Sequence, residues 1–259
     1  MLPLIQPHTA PEGFVVAQTM RIASGAVLGG MSWAACAVAG PREVQLAQRR
    51  LTAELGFHNL CLLRQVHGTN VVERGGDTEE LTVDALPRYA VPPADAQFCA
   101  APGVLLGVVV ADCCPVVLCD RSSGLIGIAH AGWRGTASGV AAALVQAMTD
   151  AGAAAATLWA WLGVCAEPER YEVGPEVAEQ FDPAHSTAGV GDRKMLDLRA
   201  ALHAQLLACG LAPDAIEQSP LGTIGDPRFH SYRRDGAMSG RMVAVVGRIG
   251  HTAAATAIL

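Results

Sequence analysis

Four short apolar runs stand close together between residues 94 and 132, and they constrain the fold more than any other feature of the sequence. The runs are DAQFCA, VLLGVVVADC, PVVLCD and LIGIAHAG. Each has the length and the Val, Ile and Leu content of a β-strand, and Ala-Pro-Gly, Cys-Pro or Arg-Ser-Ser-Gly separates it from the next. The runs therefore predict consecutive buried strands at the centre of the fold.

Helical patterns flank these strands. The segment PREVQLAQRRLTAELG begins with Pro41 and ends with Gly56, which favours a helix with four apolar residues on roughly one side: Val44, Leu46, Leu51 and Leu55. A second helix is expected from about Thr136, a short one in GPEVAEQF, and another from the cap Asp197 to the stop Gly210.

Further strands are predicted on both sides of the centre. FVVAQTMRIASGAVLGGMS predicts a strand and a Gly-rich turn, and NLCLLRQVHGTNVVE predicts two strands joined by a tight turn at residues 67–70. An irregular acidic stretch follows at residues 77–84, and TLWAWLGV and RMVAVVGRI predict later strands. The pattern favours an α/β fold, a single domain over residues 1–259 with layered α-β-β-α architecture and mixed sheets.

Composition excludes several classes of protein. The formal net charge is -6 and charged residues make up 16% of the chain, so a general nucleic-acid or membrane-surface binder is not expected. The first basic residue is Arg21 and no apolar run is long enough for a bilayer, which predicts a cytoplasmic protein, either a monomer or a small homo-oligomer. Its eight cysteines are then expected as thiols or ligands.

Three metal-ligating side chains follow strand-like runs at their ends: His67, Cys113 and His130. Zinc prefers His nitrogen and Cys thiolate, and three protein ligands with one open position are typical of a catalytic zinc site. The same residues allow a metal-free interpretation, with Cys113 as nucleophile, His130 as base and Asp112 or a backbone carbonyl orienting the imidazole. On spacing alone, a buried structural thiol and strand-capping histidines explain these residues equally well.

Two segments could bind an anion. In HAGWRGTASGV, glycines allow a tight turn after the strand and the next helix directs free N–H groups at the opening, where Arg134 would add a bidentate contact. In FHSYRRDGAMSGR, Arg233 and Arg234 could hold an anionic group while Tyr232 offers a stacking face. A solvated surface Arg and a salt-bridged loop remain the alternatives.

These motifs together resemble the laccase-domain family, long described as multicopper polyphenol oxidases and now regarded as purine nucleoside phosphorylases. The resemblance rests on RQVHGTNVV, ADC, HAGWRG and SYRRDGAMSGRM. It implies that His67, Cys113 and His130 bind zinc, and that the enzyme cleaves adenosine, inosine and methylthioadenosine with phosphate and also deaminates adenosine. Copper is the alternative metal, although a multicopper oxidase needs many His ligands and this chain has eight His in all.

The sequence departs from the family pattern in three places, one of which is SWAACAV at residues 32–38, where an expected Asn-containing block is not recognisable. Where the family commonly has Gly-Pro-Cys-Ile-Gly-Pro-Cys-Cys, this chain has LGVCAEPER, which includes Glu167 and Arg170. Where the family has Cys-Thr before its Ser-Tyr-Arg-Arg motif, this chain has Gly222-Thr223. If the LGVCAEPER segment lines the pocket, its charges would alter substrate choice. The remaining alternatives are a cysteine-type amidase acting on a peptidoglycan precursor through Cys113 and His130, and a non-catalytic protein that binds a metal or a partner.

Overall fold

The computed structural model describes residues 2–21, 40–75 and 93–250. Its strands are β1 (Leu4–Ile5), β2 (Phe14–Thr19), β3 (Asn59–Cys61), β4 (Val71–Arg74), β5 (Ala96–Cys99), β6 (Val104–Val110), β7 (Cys114–Asp120), β8 (Ile126–Ala131), β9 (Leu158–Leu162), β10 (Glu172–Val173), β11 (Ser186–Ala188), β12 (Lys194–Leu196), β13 (Ile216–Gln218) and β14 (Met242–Arg248). Its α-helices are α1 (Pro41–Leu55), α2 (Trp133–Ala137), α3 (Val140–Asp150), α4 (Pro175–Ala178), α5 (Leu198–Ala208) and α6 (Tyr232–Asp235). The predicted Gly-rich turn at 22–32, the SWAACAV segment at 32–38 and the acidic stretch at 77–84 lie outside the described residues.

Two large sheets are built from these strands. One has the order β1-β2-β14-β6-β3 and the other the order β13-β9-β7-β8-β5-β4. Both are mixed, because β3 runs parallel to β6, β4 to β5 and β13 to β9 while the remaining pairs are antiparallel. All four central runs form strands as predicted, but β6 joins the first sheet whereas β5, β7 and β8 join the second.

The sheets pack face to face with helices on their outer surfaces. Side chains of β6 and β14 meet side chains of β7, β8 and β9 in one buried cluster that includes the fully buried Trp161. Helices α3 and α5 cover the outer face of the six-stranded sheet, and α1 covers the outer face of the five-stranded sheet. The predicted α-β-β-α layering with mixed sheets is therefore confirmed.

A third, three-stranded sheet with the order β10-β12-β11 was not predicted. Its strands are only two or three residues long, too short to show the apolar alternation that marks a strand in a sequence. The sheet packs through Tyr171, Val173 and Leu196 against Trp133, which lies just after the end of β8.

Three sequence-based expectations were wrong in detail. Leu46 is 60% exposed because it lies two residues, about 200° of helix rotation, from the buried Val44. Strands β3 and β4 do not form a hairpin, since they belong to different sheets. The helix expected from Thr136 is two helices, because Gly139 adopts a left-handed φ of 85° and ends the continuous hydrogen-bond ladder between them.

Candidate metal centre

Two crossings from the five-stranded sheet to the six-stranded sheet bring the candidate ligands together. His67 lies between β3 and β4, and Cys113 lies between β6 and β7, so each sits where the chain leaves the five-stranded sheet for the six-stranded one. His130 is near the end of β8, which pairs with the start of β7 through Cys114 and Ala131. This pairing register places His130 beside Cys113.

The three side chains form one cluster. One donor atom from each of His67, Cys113 and His130 lies within 4.8 Å of the other two, and the imidazole rings meet edge to face with centroids 4.8 Å apart. His130 is buried, Cys113 is half-buried and His67 is exposed. The cluster is therefore closed on the protein side and open on the side of His67.

The chemistry of these donors fits a zinc ion. Two imidazoles and one thiolate are the ligand types that zinc prefers, and three protein ligands leave a coordination position for a reactant. Space for an ion is kept clear by Gly132, where a Cβ atom would lie 2.8 Å from Sγ of Cys113. His67, Cys113 and His130 are the residues that would hold the metal.

Electrostatics favour the ligand form of the cysteine. Burial raises the pKa of the Cys113 thiol, but the neighbouring His130 and His67 outweigh burial and lower that pKa to about 6. For His130 the directions are reversed. Burial lowers its pKa, but the Cys113 thiolate and Asp95 outweigh burial and raise that pKa to about 9. In the absence of a metal the thiolate and the imidazolium thus stabilise each other.

Asp95 is a site residue that the sequence analysis did not single out. Its carboxylate is fully buried and accepts a hydrogen bond from Nδ1 of His130 at 2.8 Å. It also accepts hydrogen bonds from the backbone N–H groups of Val66, His67 and Gly68 at 3.0, 2.9 and 2.7 Å. An available signal was the acidic residue at the start of the apolar run DAQFCA.

Asp112 has a different role from the one considered in the sequence analysis. The imidazole of His130 is oriented by Asp95, while the Asp112 carboxylate accepts hydrogen bonds from the Thr223 hydroxyl and from the backbone N–H of Arg233. Asp112 is buried and adopts a positive φ of 79°, directly before Cys113. It therefore anchors the start of α6 beside the metal centre.

The predicted anion-binding residues are in different environments. The Arg233 guanidinium lies 4.9 Å from the centroid of the Tyr171 ring, and the nearby Cys113 thiolate adds to burial in raising the pKa of Tyr171. Arg134 is exposed and stacks on Trp133 at 4.1 Å. The guanidinium of Arg234, in contrast, donates to the carbonyls of Thr223 and Phe229 and to the Asp235 carboxylate.

The structure also shows the position of Tyr232 and the length of the helix expected to bind an anion through its dipole. Tyr232 is 55% exposed, with the Arg241 guanidinium 5.5 Å from its ring centroid, so one face of an aromatic ring is available at the surface. The helix that begins within the HAGWRG motif, α2, is only five residues long. Its dipole contributes less to anion binding than the long helix that was expected.

The segment that departs from the family pattern is mainly structural. Val164 and Ala166 are buried, and the Glu167 carboxylate accepts hydrogen bonds from the N–H groups of Ile224 and Gly225. Arg170 lies 3.5 Å from that carboxylate. A side chain at Gly222 would collide with Glu167, so the two departures from the pattern, at 167 and 222, are in contact.

This fold and this cluster define an α/β protein with a candidate His-Cys-His metal centre. The family described as multi-copper polyphenol oxidoreductase laccase matches residues 28–249, and the chain belongs to that family. The chain is 38% identical over 220 residues to a purine nucleoside phosphorylase of Deinococcus radiodurans, covering 80% of this chain and 78% of the relative. It is 33% identical to adenosine deaminase RL5 from an unknown prokaryotic organism, covering 80% and 83% of the two chains.

A solved structure shows the same fold. The crystal structure of YlmD from Geobacillus stearothermophilus superposes with a TM-score of 0.83 at 29% identity, covering 92% of this chain and 93% of that one. Relatives named as a purine nucleoside phosphorylase and an adenosine deaminase indicate that the chain is an enzyme. No helix within residues 2–21, 40–75 and 93–250 has the length and hydropathy needed to cross a bilayer.

Proposed function

We propose that this protein is a zinc-dependent purine nucleoside phosphorylase that acts on adenosine, inosine and methylthioadenosine and also deaminates adenosine. The observation that carries the proposal is the meeting of His67, Cys113 and His130 within 4.8 Å, beside the Asp112-anchored start of α6. The names of the relatives supply the substrate class.

The metal in this proposal is zinc. One thiolate and two imidazoles are a zinc-type ligand set, and a bound zinc ion would supply Lewis acidity at the site. A multicopper oxidase needs several copper centres rich in histidine. Within the described part of the chain, one group of metal-ligating residues is present, and it contains two histidines.

The phosphate site in this proposal lies between α6 and the HAGWRG turn. Asp112 holds the backbone of Arg233, and Tyr171 supports its guanidinium from one side, so the charged group is positioned by contacts that do not use its full hydrogen-bonding capacity. Arg134 is exposed on Trp133 and would add a second guanidinium. Arg234 would support the site indirectly, since its donors hold the 223–229 segment.

In the proposed reaction the protein positions the phosphate and the nucleoside and forms no covalent bond with either. In phosphorolysis, a phosphate oxygen bonds to the ribose C1′ while the bond from C1′ to the purine breaks and the purine takes up a proton. Guanidinium groups that hold the phosphate near C1′ lower the entropic part of the barrier and stabilise the negative charge. The exposed ring of Tyr232 would stack on the purine or contact the ribose.

The direct test is incubation of adenosine with the protein, with and without phosphate, followed by chromatography of the products. We expect adenine and ribose 1-phosphate when phosphate is present, and inosine as the product of deamination. A chelator should abolish turnover and added zinc should restore it. Cys113→Ala should be inactive, whereas Cys209→Ala, which changes a half-buried thiol at the end of α5, should be fully active. Absence of turnover with zinc or copper would overturn the proposal.

A second candidate function is a cysteine-type amidase on a peptidoglycan precursor. The hydrogen bond between His130 and Asp95 favours it, because Cys113, His130 and Asp95 then have the relationship of nucleophile, base and orienting carboxylate. The amidase would release ammonia or an amine from the precursor without metal and would be inactivated by alkylation of Cys113. Chelator-resistant amide hydrolysis by the metal-free protein would select this function over the first.

A further inference from the structure

We infer that Asp95 is the positioning residue of the metal centre and that it sets the affinity of the site for the ion by holding His67 and His130 together. The inference rests on the metal site of the proposed function, but it does not depend on the substrate. Asp95 directly precedes β5 and is fully buried, so its carboxylate depends on protein groups for its hydrogen bonds.

The first contact of Asp95 determines which nitrogen of His130 faces the ion. Oδ1 of Asp95 lies 2.8 Å from Nδ1 of His130, and the backbone N–H of His130 donates to the Asp95 carbonyl at 2.7 Å. With the Nδ1 proton directed at the carboxylate, Nε2 carries the lone pair that binds a metal. Asp95 thus fixes the orientation of the ring before an ion arrives, and it retains the Nδ1 proton when Nε2 gives up its own proton to bind the ion.

The remaining contacts of the carboxylate hold the segment that carries His67. Three successive backbone N–H groups, of Val66, His67 and Gly68, converge on the two oxygens of Asp95. His67 adopts a positive φ of 62°, a left-handed backbone conformation that is costly for a residue with a Cβ atom. Convergence of these N–H groups on one carboxylate offsets that cost and keeps His67 turned toward His130.

A carboxylate is required in this position. Both oxygens of Asp95 accept, and between them they receive four N–H groups. An asparagine has the same shape but only one accepting oxygen, and its NH2 group would face N–H donors. Asp95→Asn should therefore loosen both histidines while changing the volume of the side chain very little.

The test is a zinc-binding titration of Asp95→Asn against a chromophoric chelator, with Asp120→Asn as the matched control. Asp120 is also fully buried and accepts hydrogen bonds from Ser122, Ser123 and Thr157, but it lies at the opposite end of β7 from Cys113. We expect zinc affinity to fall about 10- to 100-fold in Asp95→Asn, the usual effect of losing an outer carboxylate partner, and to stay unchanged in Asp120→Asn. Equal affinity in Asp95→Asn and the wild type, or an equal loss in both variants, overturns the inference.

A measurement on the wild-type protein keeps the inference testable if Asp95→Asn does not fold. NMR spectra of protein labelled with ¹⁵N-histidine should show a protonated Nδ1 on His130 in the metal-free and zinc-bound states, and a zinc-dependent shift of its Nε2. Binding of zinc through Nδ1 overturns the inference. Failure of the proposed function can be told apart from failure of this inference. Wild-type protein that binds zinc but leaves adenosine unchanged refutes the phosphorylase proposal. The zinc titration of Asp95→Asn still decides the role of Asp95 in that case.

Discussion

The α-carbon of Gly132 faces the thiol of Cys113 so closely that a methyl group added to it would lie 2.8 Å from Sγ and 3.2 Å from Cδ2 of His67. The backbone of Gly132 has a φ of -78°, which any residue adopts. Glycine is therefore needed at this position for space rather than for conformational freedom.

Gly132→Ala should weaken metal binding because the new methyl group pushes the Cys113 sulfur and the His67 ring apart. Overpacking of this kind costs about 1–3 kcal/mol, which corresponds to a loss of zinc affinity of about 5- to 150-fold. The measurement is competition with a chelator, together with the melting temperature in the presence and absence of zinc. Gly75→Ala is the control, since a Cβ at Gly75 has no atom within 4 Å. Unchanged zinc affinity in Gly132→Ala would show that the space beside Cys113 is not used by a metal.

Arg233→Ala and Arg234→Ala should have different consequences although the residues are adjacent. Arg233→Ala removes the guanidinium that we propose for phosphate, so KM for phosphate should rise at least tenfold. It also removes one hydrogen bond to the Glu172 carbonyl, so the free energy of unfolding should fall by about 1 kcal/mol. Arg234→Ala removes hydrogen bonds to Thr223, Phe229 and Asp235 and should lower the free energy of unfolding by about 2 kcal/mol. Steady-state kinetics and urea denaturation measure the two effects. The same KM for phosphate in Arg233→Ala and wild type would place the phosphate elsewhere.

The metal-free protein should contain a reactive thiolate at neutral pH. The pKa of Cys113 is lowered from 9.0 to about 6, so the stability that the thiolate contributes is fully present above pH 9 and is lost as the pH falls through about 6. The pKa of His130 is raised from 6.5 to about 9, so its contribution is fully present below pH 6.5 and is lost as the pH rises through about 9. The ion pair is therefore populated between these two pKa values.

Alkylation of Cys113 by iodoacetamide, followed by mass spectrometry, measures this titration. The rate in metal-free protein should rise with a midpoint near pH 6. In His130→Gln the midpoint should move up, toward the value of an ordinary buried thiol. Zinc should protect Cys113 at all pH values where it binds. A wild-type midpoint near pH 9 would contradict the proposed pairing of the thiolate with the imidazolium.

Gly222→Ala should destabilise the protein through a collision with Glu167. The carboxyl carbon of Glu167 would lie 2.6 Å from a Cβ at position 222, and the Glu167 oxygens are held by the N–H groups of Ile224 and Gly225. We expect a loss of about 1–3 kcal/mol in the free energy of unfolding. In a Glu167→Gly background, which also removes the Glu167 Cβ that would lie 2.7 Å away, the same substitution should cost much less, and urea denaturation of the four proteins in this cycle gives the coupling energy. Additive effects would show that the two departures from the family pattern are independent.

Much of the fold follows from local patterns in the sequence. The central strands are uninterrupted apolar runs bounded by turn residues. Asp197 caps the start of α5, and its side chain accepts a hydrogen bond from the N–H of Ala200 as its position predicts. Such features depend on neighbours in the chain. The short strands β10, β11 and β12 could not be predicted, because pairing with one another, and not their composition, makes them strands.

By itself, the sequence determined the chemical character of the candidate site: a thiol and two imidazoles at the ends of buried strands, with arginines in two nearby turns. Only the tertiary structure decided that β3 and β4, and likewise β6 and β7, belong to different sheets, so that His67 and Cys113 meet His130 where the chain crosses between them. It also decided that Asp95, not Asp112, orients His130. The physical reason is that a hydrogen bond between distant residues depends on how sheets pair and pack, and no local pattern in the chain encodes that distance.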